Sequence, residues 1–558
     1  MLGALLLGCA LLFNFYRLFT AGAEQVRVWE WYVLPLWAGM GLGFIYLLSP
    51  LSFDYQGTAA GWAFSGLLSV VFALHLVHRR GFLPFATLWA RALPENGPAP
   101  SMPMAPGIIV YATRCVLLCA CLIQFFAGGL LLLFGQGLWG DVINDGSAPF
   151  AQGDFWTATS LALAAMLAAW AIHRQALSGI VGWRPIRQGL LVWGALWWWL
   201  GFGSEILRSA PFWSQSALAL VVVALSVALG AVLAPRLRWS ALAHLCLTLM
   251  PLAALYLALD AIYPGYLQGG PALLVWAVLF AVHFFSLRRL QPLLRGWAEQ
   301  GAHVVGCWML ILVLALELRG ALVSLADAHN AWRWLGWALV PSLYLLAMAA
   351  QRQWPWPISA LSRTYRWMAA WPVALVLLAW FWLANLFSDG AAQPVPYVPI
   401  ANPLELALMF ALLALLRWSR AGEAQQRLSP RWQWLLGASA FAFATAAVMR
   451  AVHHWAGVPY DASALLESMR AQAALSILWT VIALALMVFG HRRQRRIVWL
   501  IGAALIAVVV AKLFLVELDH QGGLARIISF IGVGVLLLVI GYFAPPVTRE
   551  SGRKGLGN

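Results

Sequence analysis

The chain has 558 residues, 63% of them hydrophobic and only 10% charged, and its mean hydropathy is +0.81. Soluble domains average about 45–50% apolar and about 25% charged residues, which excludes a soluble globular protein, a disordered chain and a secreted disulfide scaffold. The net charge of +15 gives no sign of a nucleic-acid partner, because the basic residues form small Arg groups between apolar runs instead of one patch interleaved with loop aromatics.

Apolar runs of roughly 17–25 residues, the length that crosses a bilayer, place helices at 1–16, 32–50, 59–77, 115–135, 155–173, 188–207, 216–234, 240–261, 270–287, 301–318, 332–350, 368–387, 403–417, 432–449, 471–490, 497–516 and 526–544. The expected fold is all-α: a polytopic transmembrane helix bundle of about 17 helices, within bounds of roughly 15–19, forming one domain over 1–558 with short loops and no sizeable soluble domain. Residues 1–23 read as a first helix instead of a cleaved signal. Ala21-Gly22-Ala23 has the small-x-small form, but no basic segment precedes the apolar stretch, and Asn14 and Arg17 interrupt it. The longest polar gap, 78–114, carries Pro94, Pro98, Pro100, Pro103 and Pro106 and reads as an irregular cytoplasmic linker.

Charge orients these helices. Alternate loops hold Arg79/Arg80, Arg184/Arg187, Arg236/Arg238, Arg288/Arg289, Arg363/Arg366, Arg417/Arg420 and Arg492/Arg493/Arg495/Arg496. That face totals +22 and the opposite face −7. A miscounted helix would have scrambled the alternation. The positive-inside rule then predicts an N-terminus outside and a C-terminus in the cytoplasm.

The six cysteines (Cys9, Cys115, Cys119, Cys121, Cys246 and Cys307) all fall in apolar runs, and Cys115 and Cys119 share a helix face with no His or carboxylate at metal-ligand spacing, so the six read as small packing residues. No Walker loop, dinucleotide fingerprint or nucleophile elbow occurs. No cofactor and no metal is expected.

Ionisable residues inside apolar helices are costly and by default mark a functional interior. Those that stand out lie toward the expected outer ends: Glu205 and Arg208, Asp260, Glu317 and Arg319, Asp389 and Glu405, Arg450 with His453 and His454, then Asp461, Glu467, Arg470, Lys512, Glu517, Asp519, His520 and Arg526. Two readings stand beside each other. The residues are interfacial anchors that snorkel and pair locally, as Arg450 with His454 or Glu467 with Arg470 could at helical spacing. Alternatively, they line a water-filled, mixed-charge cavity open to the outside, at which Glu317, Arg319, Glu405, Arg450, Lys512, Asp519 and Arg526 converge. On the second reading Glu317, Glu405 or Asp519 are the candidate acids or bases. Arg319, Arg450, His453, His454, Arg470, Lys512, Glu517 and Arg526 are the candidate substrate-binding groups. Lys512 is expected to find Glu517, Asp519 or Glu405 as its acidic partner. Adjacent histidines point about 100° apart on a helix, so His453 and His454 do not suggest a shared metal.

Two stretches are recognisable. SDGAAQPVPYVPIANPLELA at 388–407 and AKLFLVELDHQGGLARIISFIGVGVLLLVIGYF at 511–543 resemble a bacterial family of predicted multi-pass inner-membrane proteins, domain of unknown function 2339, and HNAWRWLGWALVPSLYLLAMA at 329–349 is similar as well. The resemblance is strongest over 330–545. The family's first motif usually reads Pro-Leu-Pro-Tyr and then Pro-Leu-Leu-Asn-Pro-Leu-Asp, and this chain matches it from Pro394 to Glu405, with Glu in place of the Asp. The second motif carries over as Lys512, Glu517, Arg526, Ser529, Phe530 and Tyr542. The resemblance implies a many-helix envelope protein and no agreed activity.

The prolines at 394, 396, 399 and 403 fix an extended chain without backbone donors, and Asn402-Pro403 is expected to cap the following helix. Three functions compete: transport or translocation of a polar or lipid-linked envelope precursor, transfer or hydrolysis of a lipid-linked glycan or lipid at the outer face, and a scaffold for envelope assembly. Membrane lipids are the expected partners throughout. The short outer loops favour transport.

Overall fold

The computed structural model describes residues 183–262, 271–325, 330–350 and 352–512, with isolated positions between 149 and 173 and at 534. The expected helices at 1–16, 32–50, 59–77, 115–135 and 526–544, the 78–114 linker and the cysteines before residue 122 lie outside these residues. The described positions from 155 to 173 are helical.

Fourteen α-helices carry the described chain, and no β-strand forms among the described residues beyond one bridge between Ala392 and Val395. α1 (Trp183–Ser209) and α2 (Phe212–Arg236) are separated by Pro211, which cannot continue a helix from the turn before it. The expected single helix at 240–261 is α3 (Ser240–Leu245), a 3₁₀ turn (Cys246–Thr248) and α4 (Leu249–Ile262). Pro251 explains the break: it lacks the N–H that would reach back one turn, so the preceding ladder tightens. α5 (Pro271–Leu290) and α6 (Gly296–Leu325) follow, then α7 (Asn330–Ala349) with Pro341 inside it.

A π turn at Thr364–Ala369 opens α8 (Ala370–Phe387). α9 (Pro403–Ser419), the short α10 (Gly422–Arg427), α11 (Arg431–Ala456), the short α12 (Ala462–Glu467), α13 (Met469–Arg492) and α14 (Arg496–Lys512) complete the series. Eight helical stretches among the described residues are long and apolar enough to cross a membrane. Among the described residues the fold is thus all-helical, with multiple apolar helices of membrane-spanning length.

Two compact units divide the chain after Ala302. In the first, α2 packs against α1, α4 and α5. In the second, α7 packs on α8 and α9, α9 on α8 and α11, α11 on α13, and α13 on α14. The α6–α7 approach within the second unit depends on Gly336: a Cβ there would stand 2.5 Å from the Arg319 Cα and 2.8 Å from its backbone nitrogen. No side chain fits that gap.

The π turn is held from three sides. Tyr344 Oη on α7 donates to the Tyr365 carbonyl at 2.6 Å, Trp418 Nε1 on α9 to the Arg366 carbonyl at 3.1 Å, and Trp308 Nε1 on α6 to the Ala369 carbonyl at 3.0 Å. Pro372 removes one N–H from the ladder directly above, and the side chains supply the donors the widened turn needs.

Candidate functional site beneath the proline-rich loop

The segment 388–402 leaves α8, folds back over the ends of the helices and enters α9. Gly390 has φ +81, a conformation that L side chains rarely adopt, and a Cβ there would meet the Arg450 Cδ at 3.1 Å. Asn402 caps α9 as the sequence suggested: its Oδ1 accepts from the Leu404 N–H at 2.9 Å, and Pro403 occupies the first helical position. The same side chain turns its Nδ2 to the Gly390 carbonyl at 2.8 Å, so one residue caps the helix and closes the loop.

Under this loop lies a buried ion pair. Arg450 Nε on α11 donates to Glu405 Oε1 in the first turn of α9 at 3.1 Å, and both side chains are 0% exposed. Tyr397 Oη from the loop donates to the same Glu405 oxygen at 2.6 Å and also lies 3.2 Å from the Ala447 carbonyl. Glu405 Oε2 accepts the Ile400 N–H at 2.6 Å. On the far side, Arg450 Nη1 donates to the Asn385 carbonyl at 3.2 Å, and Nη1 and Nη2 approach Asn385 Oδ1 at 3.5 and 3.4 Å. α8, α9, α11 and the loop therefore meet on one guanidinium. The Asn385 Nδ2 is fully enclosed and has no hydrogen-bond partner.

The histidines complete the loop's attachment. The His454 ring stacks on Tyr397 with centroids 4.3 Å apart and an interplanar angle of 16°, and its Nε2 is 2.9 Å from the Asp389 carbonyl. His453 Nδ1 is 2.6 Å from the Val458 carbonyl. Both bond backbone through one ring nitrogen, and among the described residues no group of three or more His, Cys, Asp or Glu gathers at metal distance.

Burial raises the Tyr397 phenol above its ordinary pKa, and the hydrogen bond to Glu405 and its charge raise it further, with the Arg450 guanidinium opposing. Tyr460 is raised by burial against the same opposing charge. Asp461, the exposed N-cap of α12, is lowered by hydrogen bonds from the Ser463 hydroxyl and backbone N–H.

The other described candidates make contacts of their own. Lys512 Nζ donates to the Gln472 carbonyl and to Ser476 Oγ, both at 2.7 Å on α13. Arg319 lies 5.9 Å from the Trp337 ring centroid, and Glu317 is half-buried on α6. Arg470 and Glu467 are exposed on either side of the α12–α13 junction. Glu517, Asp519, His520 and Arg526 lie outside the described residues. Of the seven residues expected to converge, the structure joins Glu405 to Arg450.

The local pairing of Arg450 with His454 does not form. Arg450 reaches across to another helix, because a buried guanidinium is costly without a full negative charge and an imidazole carries none. In the first unit, Glu205 and Arg208 form a buried pair at 2.6 Å, and the Phe150 N–H reaches Glu205 at 2.7 Å.

A family model described as predicted membrane protein (DUF2339) matches residues 138–547. Neither the curated proteins nor the solved structures contain a match.

Proposed function

We propose, for a chain that belongs to the DUF2339 family of predicted membrane proteins, that it transports or translocates a polar or lipid-linked precursor of the cell envelope. In this reading Glu405–Arg450 is a latch between α8, α9 and α11 that closes one end of the path. The observation that carries it is the ion pair at 0% exposure on both side chains. Taking each ion out of water costs several kcal/mol, and apolar side chains of similar volume would tie the same helices together without that cost. A charge pair bridging three helices gives the cost a use: once the helices part, an anionic group can bind Arg450 in place of Glu405 and hold the latch open.

Glu405 is a poor acid or base as it stands. Both of its oxygens already accept hydrogen bonds from the protein, and a general base must reach the proton it takes. The transferase or hydrolase reading therefore falls to Glu317 or Asp519, and it keeps second place. The latch faces outward in this proposal, since the +22 and −7 split puts the 388–402 loop on the extracytoplasmic side of an inner membrane, with the N-terminus outside and the C-terminus inside.

Proteoliposomes with a fluorescent undecaprenyl-pyrophosphate-linked sugar test the proposal, with dithionite quenching only the outer leaflet. Transport predicts loss of signal well beyond the half that protein-free vesicles lose, with the probe chemically intact. A chemically altered probe would favour the enzyme, and quenching limited to half with an intact probe would favour a scaffold.

A further inference from the structure

The opposite ends of the same helices carry a second, differently built surface. α8 and α9 have 18 and 17 residues, so at about 1.5 Å per residue it lies roughly 25 Å from the latch. Here three indoles stack, and a fourth, Trp432, meets them tilted at 53°. Trp367 lies 6.0 Å from Trp418 at 10° and 5.6 Å from Trp371 at 19°, and Trp371 reaches Trp432 at 5.5 Å.

Arginines ring the stack. Arg427 lies over Trp367 at 5.5 Å, Arg352 over Trp354 at 5.7 Å, and Arg366 Nη2 donates to the Arg352 carbonyl at 3.0 Å. Arg363 and Arg420 are exposed beside it. The acid of this end, Glu423, is already engaged by Arg427 at 3.3 Å. The Arg366 Nε is enclosed and has no hydrogen-bond partner. The arrangement has donors in excess over its described acid and an aromatic floor in which Trp367 and Trp371 are half-buried and Trp418 and Trp432 are buried beneath them.

The geometry points to a docking surface for the phosphate headgroup of anionic phospholipids. Guanidinium forks match phosphate oxygens two at a time. Indoles settle where headgroups meet hydrocarbon, so a flanking stack suits a ligand with a polar head and an apolar body. A free phosphate would gain nothing from the indoles. The surface stands on its own contacts and does not depend on the transport reading.

The test uses the purified full chain and nanodiscs or micelles doped with phosphatidylglycerol or phosphatidylcholine, with bound lipid counted by native mass spectrometry. Phosphatidylglycerol should be retained over phosphatidylcholine. The exposed triple variant R363Q/R420Q/R427Q should weaken that retention by about tenfold or more, since each basic group near an anionic surface contributes on the order of a factor of five. R492Q/R493Q/R496Q removes the same charge from the α13–α14 turn and should change it less than twofold. R363K/R420K/R427K, which keeps charge and guards against misfolding, should recover only part of the loss and stay below wild type, because an ammonium lacks the guanidinium's fork. Equal losses in both glutamine triples would reduce the effect to net charge and overturn the proposal. Retention unchanged in the first triple, or bound lipid displaced by millimolar inorganic phosphate, would overturn it too.

Discussion

Glu405→Gln and Arg450→Met, separately and together, test whether the buried pair is one energetic unit. In Glu405→Gln the guanidinium stays at 0% exposure and keeps Asn385, but it loses its only full counter-charge at 3.1 Å. Leaving a buried ion uncompensated costs about 3–5 kcal/mol. Arg450→Met strands Glu405 instead, though Tyr397 Oη and the Ile400 N–H still donate to it, so about 3 kcal/mol is expected. The double variant buries no charge. It leaves the Asn385 acceptors without their donor, an expected cost of about 1–3 kcal/mol. The double variant should therefore unfold close to wild type, with a coupling free energy of about 3 kcal/mol or more, whereas independent sites add within about 0.5 kcal/mol. Reversible unfolding of the purified chain in mixed SDS–detergent micelles measures all four corners. Additive costs would refute the reasoning, and the latch proposal would lose its physical basis with it.

Tyr397→Phe removes the donor to Glu405 and should cost about 1–2 kcal/mol by the same assay. The phenol's pKa is raised in the folded state, so this contribution should be full below about pH 10 and shrink as pH rises through the folded value; a wild-type–variant gap that widens above pH 10 would contradict it. Gly336→Ala must part α6 from α7 at the Arg319 backbone and should cost about 1–3 kcal/mol, whereas Gly437→Ala on α11 has nothing within 4 Å and should be neutral or gain about 0.5–1 kcal/mol. In a background lacking the six natural cysteines, a cysteine at the exposed Val398 should react with impermeant maleimide on intact cells after outer-membrane permeabilisation. One at the exposed Arg427 should react only after lysis. Labelling of both from the same side would break the topology.

Helices were legible because the bilayer imposes a length and an apolar composition, and each expected segment from 188 to 490 has its helix in the structure. What the pattern could not carry was the local backbone: Pro251 splits one segment into α3 and α4, and the π turn before Pro372 needs donors from three other helices. Those depend on contacts far apart in sequence, such as Trp308 with Ala369. The site was half legible. Glu405 and Arg450 stood out as charges next to apolar runs, and Asn402-Pro403 read correctly as a cap. Their approach over 45 residues was expected only within a seven-residue convergence, and the one-to-one pairing was not legible, because periodicity names a helix face and not the neighbour it meets. Asn385 was missed, although a lone Asn in the apolar run AWFWLANLF was the available signal.

The two ends of α8 and α9 show why one segment of sequence carries two kinds of chemistry. At one end the charges are balanced and sealed: Glu405 and Arg450 leave no exposed surface, and every Glu405 oxygen is engaged. At the other Arg363, Arg420 and Arg427 are exposed, outnumber the described acid Glu423, and Arg427 rests on the Trp367 indole. A sealed pair answers to conformational change, since only separation of the helices exposes it. An open basic surface answers to ligand concentration, since phosphate reaches it without any helix moving. The two ends should then respond oppositely to salt. Raising ionic strength from 0.05 to 0.5 M shortens the Debye length from about 14 Å to about 4 Å. It should release most of the bound phosphatidylglycerol yet leave the Glu405–Arg450 coupling free energy unchanged within about 0.5 kcal/mol, because no screening ion enters a cluster without solvent contact. A coupling that falls with salt would show that the pair is hydrated, and a hydrated pair cannot serve as a sealed latch.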